Sequence, residues 1–313
     1  MAETSLNTSA SLAESIHPDA SIGPTTLAVA DAERSLRLYG DVLGFQPLHA
    51  IESAVTLGAG GTPLLTLLAL PGLKPKPRRT TGLYHVAILL PDRVHLGHML
   101  HRLIEAQVPI GAADHIVSEA LYLDDPDGNG LEIYRDRPRS TWAWFDRQVR
   151  MSTDPLDFEG ILREMEQSGV PWTGMPPGTR IGHIHLQVAD LDEAHAFYHG
   201  ALGFAVTQRA YPGALFLSAG GYHHHLGLNI WNSYRAPLPP PDAAGLRSFA
   251  VQLPHDDALS QVRKRVESAG LSLRQESGAW LVDDPWRNTV KLMVAPDHTP
   301  VTAVTGRPAE AGG

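Results

Sequence analysis

A chain of 313 residues with a net charge of −9 and no cysteine has room for two domains and carries no disulfide, thiolate ligand or cysteine nucleophile. The negative balance disfavours a nucleic-acid partner, and no apolar run approaches the ~18 residues of a membrane span. Residues 1–20 are rich in Ser and Ala and lack the basic-then-apolar order of a signal peptide. They are expected to form a disordered tail, as are residues 297–313, and the protein is expected to be cytoplasmic.

Four similar units follow in chain order: 22–70, 82–137, 181–232 and 246–295. Each opens on an alternating apolar run of strand type, namely Leu27-Ala28-Val29, His85-Val86-Ala87-Ile88, His183-Ile184-His185-Leu186 and Phe249-Ala250-Val251. Each continues into a helical stretch. In the third unit Asp190 is the expected N-cap, with Glu193 three residues on and Leu191, Ala194, Phe197 and Tyr198 at helical spacing. Further strand-like runs close each unit. In the second and fourth units the last break reads Asp124-Asp125-Pro126-Asp127-Gly128-Asn129 and Asp283-Asp284-Pro285-Trp286-Arg287-Asn288, a tight turn before a final strand. The pattern is β-α-β-β-β four times, an α+β fold. It divides into an N-terminal domain, 21–137, and a C-terminal domain, 181–296, of two modules each. The linker 138–180 holds one short helix near Leu156–Glu166 and the aromatic residues Trp142, Trp144 and Phe145.

The repeat is broken where chemistry is expected. Asp31 and Asp190, Tyr39 and Tyr198, and Phe45 and Phe204 match at one constant offset, which sets His183 against Pro24. Aligned on Pro91 and Pro254 and on the closing Asp-Pro turns, His85 stands against Ser248, Tyr122 against Leu281 and Glu132 against Lys291. Aligned on the Gly60-Gly61 and Gly220-Gly221 pairs, His224 stands against Leu64. Units 2 and 3 thus keep His85, Glu132 and His183 where units 1 and 4 do not. Two histidines and one carboxylate with positions left open form the facial triad of non-haem Fe(II) oxygenases, and the donor set also suits Mn, Zn or Ni.

These features resemble the vicinal oxygen chelate superfamily, and more narrowly the bacterial extradiol dioxygenases of the catechol 2,3-dioxygenase type. The resemblance runs from about residue 20 to 296. It implies four βαβββ modules paired into two half-barrel-like sheets. It implies His85, Glu132 and His183 as ligands of Fe(II), or of Mn(II). A family segment His-x-x-Ala-Phe/Leu aligns with His224-His225-Leu226-Gly227-Leu228, implying His224 as the group that takes and returns a proton. Tyr122 lies ten residues before Glu132, as the family's substrate-orienting Tyr does. The family's further His stands some nine residues before that Tyr, and here the nearest is His115, seven before it. The implied substrates are a small aromatic diol and O2, the product a muconic semialdehyde, and the protein would act alone or as a homodimer. Unlike the best-known extradiol enzymes, whose active units are the third and fourth, this chain would pair its third with its second.

Other readings sit beside these. His223-His224-His225 opens a buried strand, in which alternation puts His223 and His225 on one face and His224 on the other; Asn229 and Trp231 are expected to line the pocket on the His225 face. His185 shares a face with His183, as a neighbour of the ligand or a ligand in its place. His49, His95, His98, His101, His195, His199 and His255 are expected to face solvent. Trp142, Trp144 and Phe145 either cover the pocket or pack the two halves together. A glyoxalase-type isomerase normally uses a second carboxylate on the strand that here runs His223 to Trp231 and holds none. A ligand-sequestering protein of the bleomycin-resistance sort needs no His/Glu set, and a thiol transferase of the fosfomycin-resistance sort needs only two units.

Overall fold

The computed structural model describes residues 15–296; the expected tails over 1–14 and 297–313 lie outside the described residues. Unit 1 comprises β1 (Ser21–Val29), α1 (Ala32–Leu36), β2 (Gln46–Ile51), β3 (Ala54–Ala59) and β4 (Thr62–Ala69). Unit 2 comprises β5 (Gly82–Leu90), α2 (Arg93–Glu105), β6 (Gly111–Asp114), β7 (Ser118–Asp124) and β8 (Gly130–Asp136). The linker adds the hairpin β9 (Trp144–Phe145) and β10 (Gln148–Val149), then α3 (Phe158–Ser168). Unit 3 comprises β11 (Arg180–Gln187), α4 (Leu191–His195), β12 (Ala205–Gln208), β13 (Ala214–Ser218) and β14 (Leu226–Asn229). Unit 4 comprises β15 (Gly245–Leu253), α5 (Asp256–Ser268), β16 (Arg274–Glu276), β17 (Ala279–Asp283) and β18 (Thr289–Val294). The β-α-β-β-β order recurs four times, as the repeats predict.

The sheets do not follow the halves of the chain. One eight-stranded sheet runs β16-β17-β18-β15-β1-β4-β3-β2, the other β12-β13-β14-β11-β5-β8-β7-β6. Unit 1 therefore joins unit 4 and unit 2 joins unit 3, each through an antiparallel pair of opening strands within the one chain. The halves 21–137 and 181–296 are contiguous in sequence, yet each contributes one unit to each sheet.

Local chemistry explains the helices. Asp31 caps α1 by accepting from the Arg34 N–H, and Asp190 caps α4 by accepting from the Asp192 and Glu193 N–H groups. Both helices widen into π turns, Arg37–Val42 and Ala196–Ala201, in which Tyr39 and Tyr198 are buried. The Tyr39 hydroxyl donates to Asp125 Oδ2 at 3.1 Å and that of Tyr198 to Asp284 Oδ2 at 2.8 Å. Each bond ties a unit's helix to the closing turn of the unit that follows it, across the boundary between sheets. Replacing Tyr39 by Phe leaves a buried carboxylate short of a donor. Urea unfolding is expected to show a loss of ~1.5–3 kcal/mol, the usual worth of a hydrogen bond to a charged group.

Three details depart from the sequence reading. The packed chain starts before residue 20: Ile16 is buried in the main core and its N–H donates to Gly203 O. His98, expected in solvent, is buried because α3 lies across α2; its Nε2–H donates to Val170 O at 2.8 Å. The Trp142 ring is buried against Tyr222 and His223, with its indole N–H donating to Arg137 O, while Trp144 and Phe145 are exposed on the hairpin.

Two β-bulges position the site. In the β5–β11 pair the register shifts between Ile181 and His183, where Gly182 is extra, and between His185 and Leu186, opposite the extra Tyr84. A bulge re-aims the side chains beside it. Here one bulge precedes His183 and the other adjoins His85. The β1–β15 pair shifts register in its equivalent places, so the backbone device is common to both sheets and only the residues differ.

Candidate active site

β5, β8 and β11 lie side by side in one sheet, and each carries one of the expected metal-binding residues. His85, Glu132 and His183 are all buried, and their ligand atoms lie within 4.8 Å of one another. Glu132 Oε2 is 2.9 Å from His85 Nε2 and 3.0 Å from His183 Nε2. Donors bound to one divalent ion at ~2.0–2.2 Å stand ~3 Å apart in adjacent positions. Despite the short distance, His85 Nε2 makes no hydrogen bond and is buried without a partner. A buried nitrogen without a hydrogen bond, set within 4.8 Å of two other donor atoms, belongs to a group that could hold a metal ion. The residues fit a divalent ion.

Electrostatics agree. Burial pushes the His183 imidazole down to about 4, against the pull of Glu132. Burial raises Glu132, but His183, through its charge and hydrogen bond, and the close His85 imidazole outweigh it and hold the carboxyl well below its usual range. At neutral pH His183 is thus a neutral imidazole and Glu132 a carboxylate, the protonation states a metal requires of such ligands.

Beside these donors opens a cavity of about 420 Å³, within the ~300–1,000 Å³ of small-molecule sites. His85 and Glu132 form part of its wall, with Tyr84, His115, Tyr122, His185, Phe216, His224 and Trp231. Among its lining residues Glu132 is the only carboxylate, and there is no Lys or Arg.

Tyr122 and His115 meet at one side. His115 Nδ1 lies 2.6 Å from Ser152 O and its Nε2 2.6 Å from the Tyr122 hydroxyl. A carbonyl only accepts, so Nδ1 carries the proton and a neutral ring accepts from Tyr122 at Nε2. The two-residue shortfall against the family spacing does not keep them apart, because β6 and β7 are joined by the short turn that carries His115. Burial and then the Glu132 charge raise the Tyr122 phenol well above 10, keeping it protonated.

The triple histidine departs from simple alternation. Regular strand begins only at Leu226, so His223, His224 and His225 point three ways. His224 faces the cavity, its ring 4.1 Å from that of His183 and 5.0 Å from that of Phe216. His225 turns away, stacks on Tyr222 and lines a groove outside the cavity. His223, wholly buried, points to Asp136. Trp231 lines the cavity as expected, but on the same side as His224, and Asn229 donates to His185 Nε2 at 3.0 Å.

His185 is a wall residue, outside the converging trio, and its ring is packed between Tyr84, His85 and Trp231. It lies directly on Gly227, where a Cβ would come 2.8 Å from its Cγ. The residue that replaces Ala in the histidine segment therefore makes room for a ring. Gly227→Ala is expected to displace His185, raising KM several-fold while bound metal per chain stays unchanged; steady-state kinetics and metal analysis check this. Tyr84, Tyr211 and Phe216 also line the cavity and were not singled out from sequence. Tyr84 is exposed by a bulge that no residue pattern announces.

Comparison with known proteins follows the same lines. The profile of the Glyoxalase/Bleomycin resistance protein/Dioxygenase superfamily matches residues 21–133 and 180–307. A Catechol-2,3-dioxygenase of Bacillus subtilis (strain 168) is 50% identical over 277 residues, spanning 87% of this chain and 96% of that protein. Among solved structures, one from Bacillus subtilis superposes with a TM-score of 0.61 at 15% identity, covering 88% of this chain and 85% of its own. Glyoxalase I from Zea mays gives 0.54 at 16% identity, covering 88% and 92%. At such identities the structural likeness speaks for the fold alone.

Proposed function

This chain belongs to the Glyoxalase/Bleomycin resistance protein/Dioxygenase superfamily and is a ring-cleaving dioxygenase, and from that premise we propose that it opens an uncharged catechol beside its diol, using Fe(II) held by His85, Glu132 and His183. The observation that carries this reading is the convergence of three buried donors, two of them in the wall of a cavity whose lining holds five aromatic residues and no other carboxylate, Lys or Arg. When bound, Fe(II) would draw both diol oxygens and O2 together and acidify the diol.

The chain's own groups supply the rest. His224 is the base: burial lowers its pKa well below 6.5, so the ring is neutral and can take a hydroxyl proton at pH 7 and return it later. Tyr122, its proton directed to His115, offers its oxygen to the second diol hydroxyl and orients the ring. Phe216 and Trp231 hold the ring faces and keep water out. Both atoms of O2 enter the product, a muconic semialdehyde, so no outside reductant is needed. A carboxylated catechol would bury a second negative charge near Glu132 with no Lys or Arg in the wall to pair it. The isomerase alternative lacks its second carboxylate in this cavity. No described helix is long and apolar enough to cross a membrane, and a cytoplasmic location is part of the proposal.

The test is anaerobic loading with Fe(II) or, separately, Mn(II), then catechol and air, read as the yellow ring-opened product. Yellowing with catechol and alkylcatechols is expected, with kcat/KM at least ~100-fold lower for a carboxylated catechol, as an unpaired buried charge implies. No product with either metal across substituted catechols and hydroquinones would turn the assignment toward isomerisation or binding.

A further inference from the structure

Behind the cavity, two chains of hydrogen bonds end on the same oxygen. In the first, His223 Nε2 lies 2.9 Å from Asp136 Oδ1, and His223 Nδ1 lies 2.8 Å from His224 Nδ1. In the second, the Tyr222 hydroxyl donates to Asp136 Oδ1 at 3.1 Å, the Tyr134 hydroxyl is 2.7 Å from that of Tyr222, and His183 Nδ1 is 3.3 Å from that of Tyr134. All members but Asp136 are buried, and the Asp136 side chain is 22% exposed.

The directions of these bonds follow from two conditions: a carboxylate only accepts, and a neutral imidazole carries one proton. His223 must give its proton to Asp136 from Nε2. A neutral His223 then has only a lone pair at Nδ1, so His224 must donate from its own Nδ1–H, which leaves His224 Nε2 as a bare acceptor. Along the second chain Tyr222 gives its proton to Asp136, so Tyr134 gives its own to Tyr222. Glu132 Oε2, which only accepts, lies 3.0 Å from His183 Nε2, so it and the Tyr134 oxygen compete for the one His183 proton; with an ion on Nε2 that proton stands on Nδ1 and is donated to Tyr134.

We propose that Asp136 is a positioning residue that sets the tautomer of His224 through His223, so that the base presents an unprotonated Nε2, and that its second chain favours a proton on His183 Nδ1 against the pull of Glu132 on Nε2, readying that imidazole for a metal. It touches neither substrate nor metal. The inference rests on the reading of His224 as the proton-transfer group. The surroundings are built for it. Gly182 precedes His183 because a Cβ there would collide with the Tyr134 hydroxyl. The Trp142 ring lies against both Tyr222 and His223 and closes the chains from the outer side. Among the described residues the Asp136 carboxylate makes no salt bridge to Lys or Arg; the basic group beside it is His223.

The first test needs no variant. Long-range proton–nitrogen NMR of the His-labelled enzyme, loaded with zinc as a diamagnetic ion, is expected to show His224 and His183 each protonated at Nδ1. A His224 protonated at Nε2 overturns the proposal. The second test uses Asp136→Ala, expected to lower kcat ~100-fold or more, in the range of lost acid–base catalysis, with KM within a few-fold. Metal affinity should fall ~10–100-fold, as when an outer partner of a ligand is lost. Asp136→Asn, which keeps an accepting oxygen in place, should hold kcat within ~10-fold of wild type on the same scale. Were Asn to fall as far as Ala, the effect would lie in charge and the tautomer account would be overturned. Adding Asp136→Ala to His224→Ala should cost little further kcat; a full additive loss would mean a structural role and overturn the proposal. If His224→Ala itself turns over normally, the base assignment fails, while the NMR result still decides the tautomers.

Discussion

Glu132→Ala is expected to abolish iron retention and ring cleavage while the chain still folds. Glu132 is the one carboxylate among the three buried residues proposed to hold the metal. Without it a divalent ion would sit in a buried site facing only neutral imidazoles, and its charge would go uncompensated. The loss of affinity should exceed the ~10–100-fold typical of removing an outer-shell partner. Folding should be spared because a buried carboxylate is itself costly to desolvate and its removal relieves that cost. Metal analysis after desalting, oxygen uptake and thermal melts of the metal-free proteins check the three parts separately. A variant that keeps one iron per chain and cleaves catechol would remove His85, Glu132 and His183 from the site.

The second large effect belongs to the histidine run. His224→Ala should lower kcat by ~10²–10⁴-fold, the usual worth of a positioned acid–base group, with metal content unchanged and KM altered a few-fold. His225→Ala should leave kcat close to wild type, because His225 faces Tyr222 and the groove outside the cavity. Steady-state kinetics of the pair separate two neighbours that sequence alone left together. The reverse outcome, activity lost with His225 and kept with His224, would mean that the segment is threaded differently from the structure described.

Much of this site was legible before any coordinates. Residue identity carries donor chemistry, and the internal repeat supplied a built-in control: the same scaffold positions held Pro24, Ser248 and Lys291 in one pair of units and His183, His85 and Glu132 in the other. The asymmetry between copies singled out the donors, and the Tyr122–Glu132 spacing followed because two adjacent antiparallel strands place these residues as direct partners.

What lay beyond the sequence was everything set by contacts between distant segments. Period-two alternation holds only inside regular strand, so it failed at His223–His225, which precedes β14, and at Tyr84, which a bulge turns toward the cavity beside His85. The burial of His98 depended on where α3 would lie, and the Asp136 junction on side chains from β8, β11 and the turn before β14 meeting behind one wall. The amino-acid sequence by itself determined the donor types, the four units and which copies carry the His/Glu set, because these are properties of residues and of their local period. Only the tertiary structure decided that unit 2 meets unit 3 in one sheet, which histidine of three faces the cavity, and which way the protons point. Those depend on strand register and close packing, where a shift of one residue reverses every side chain.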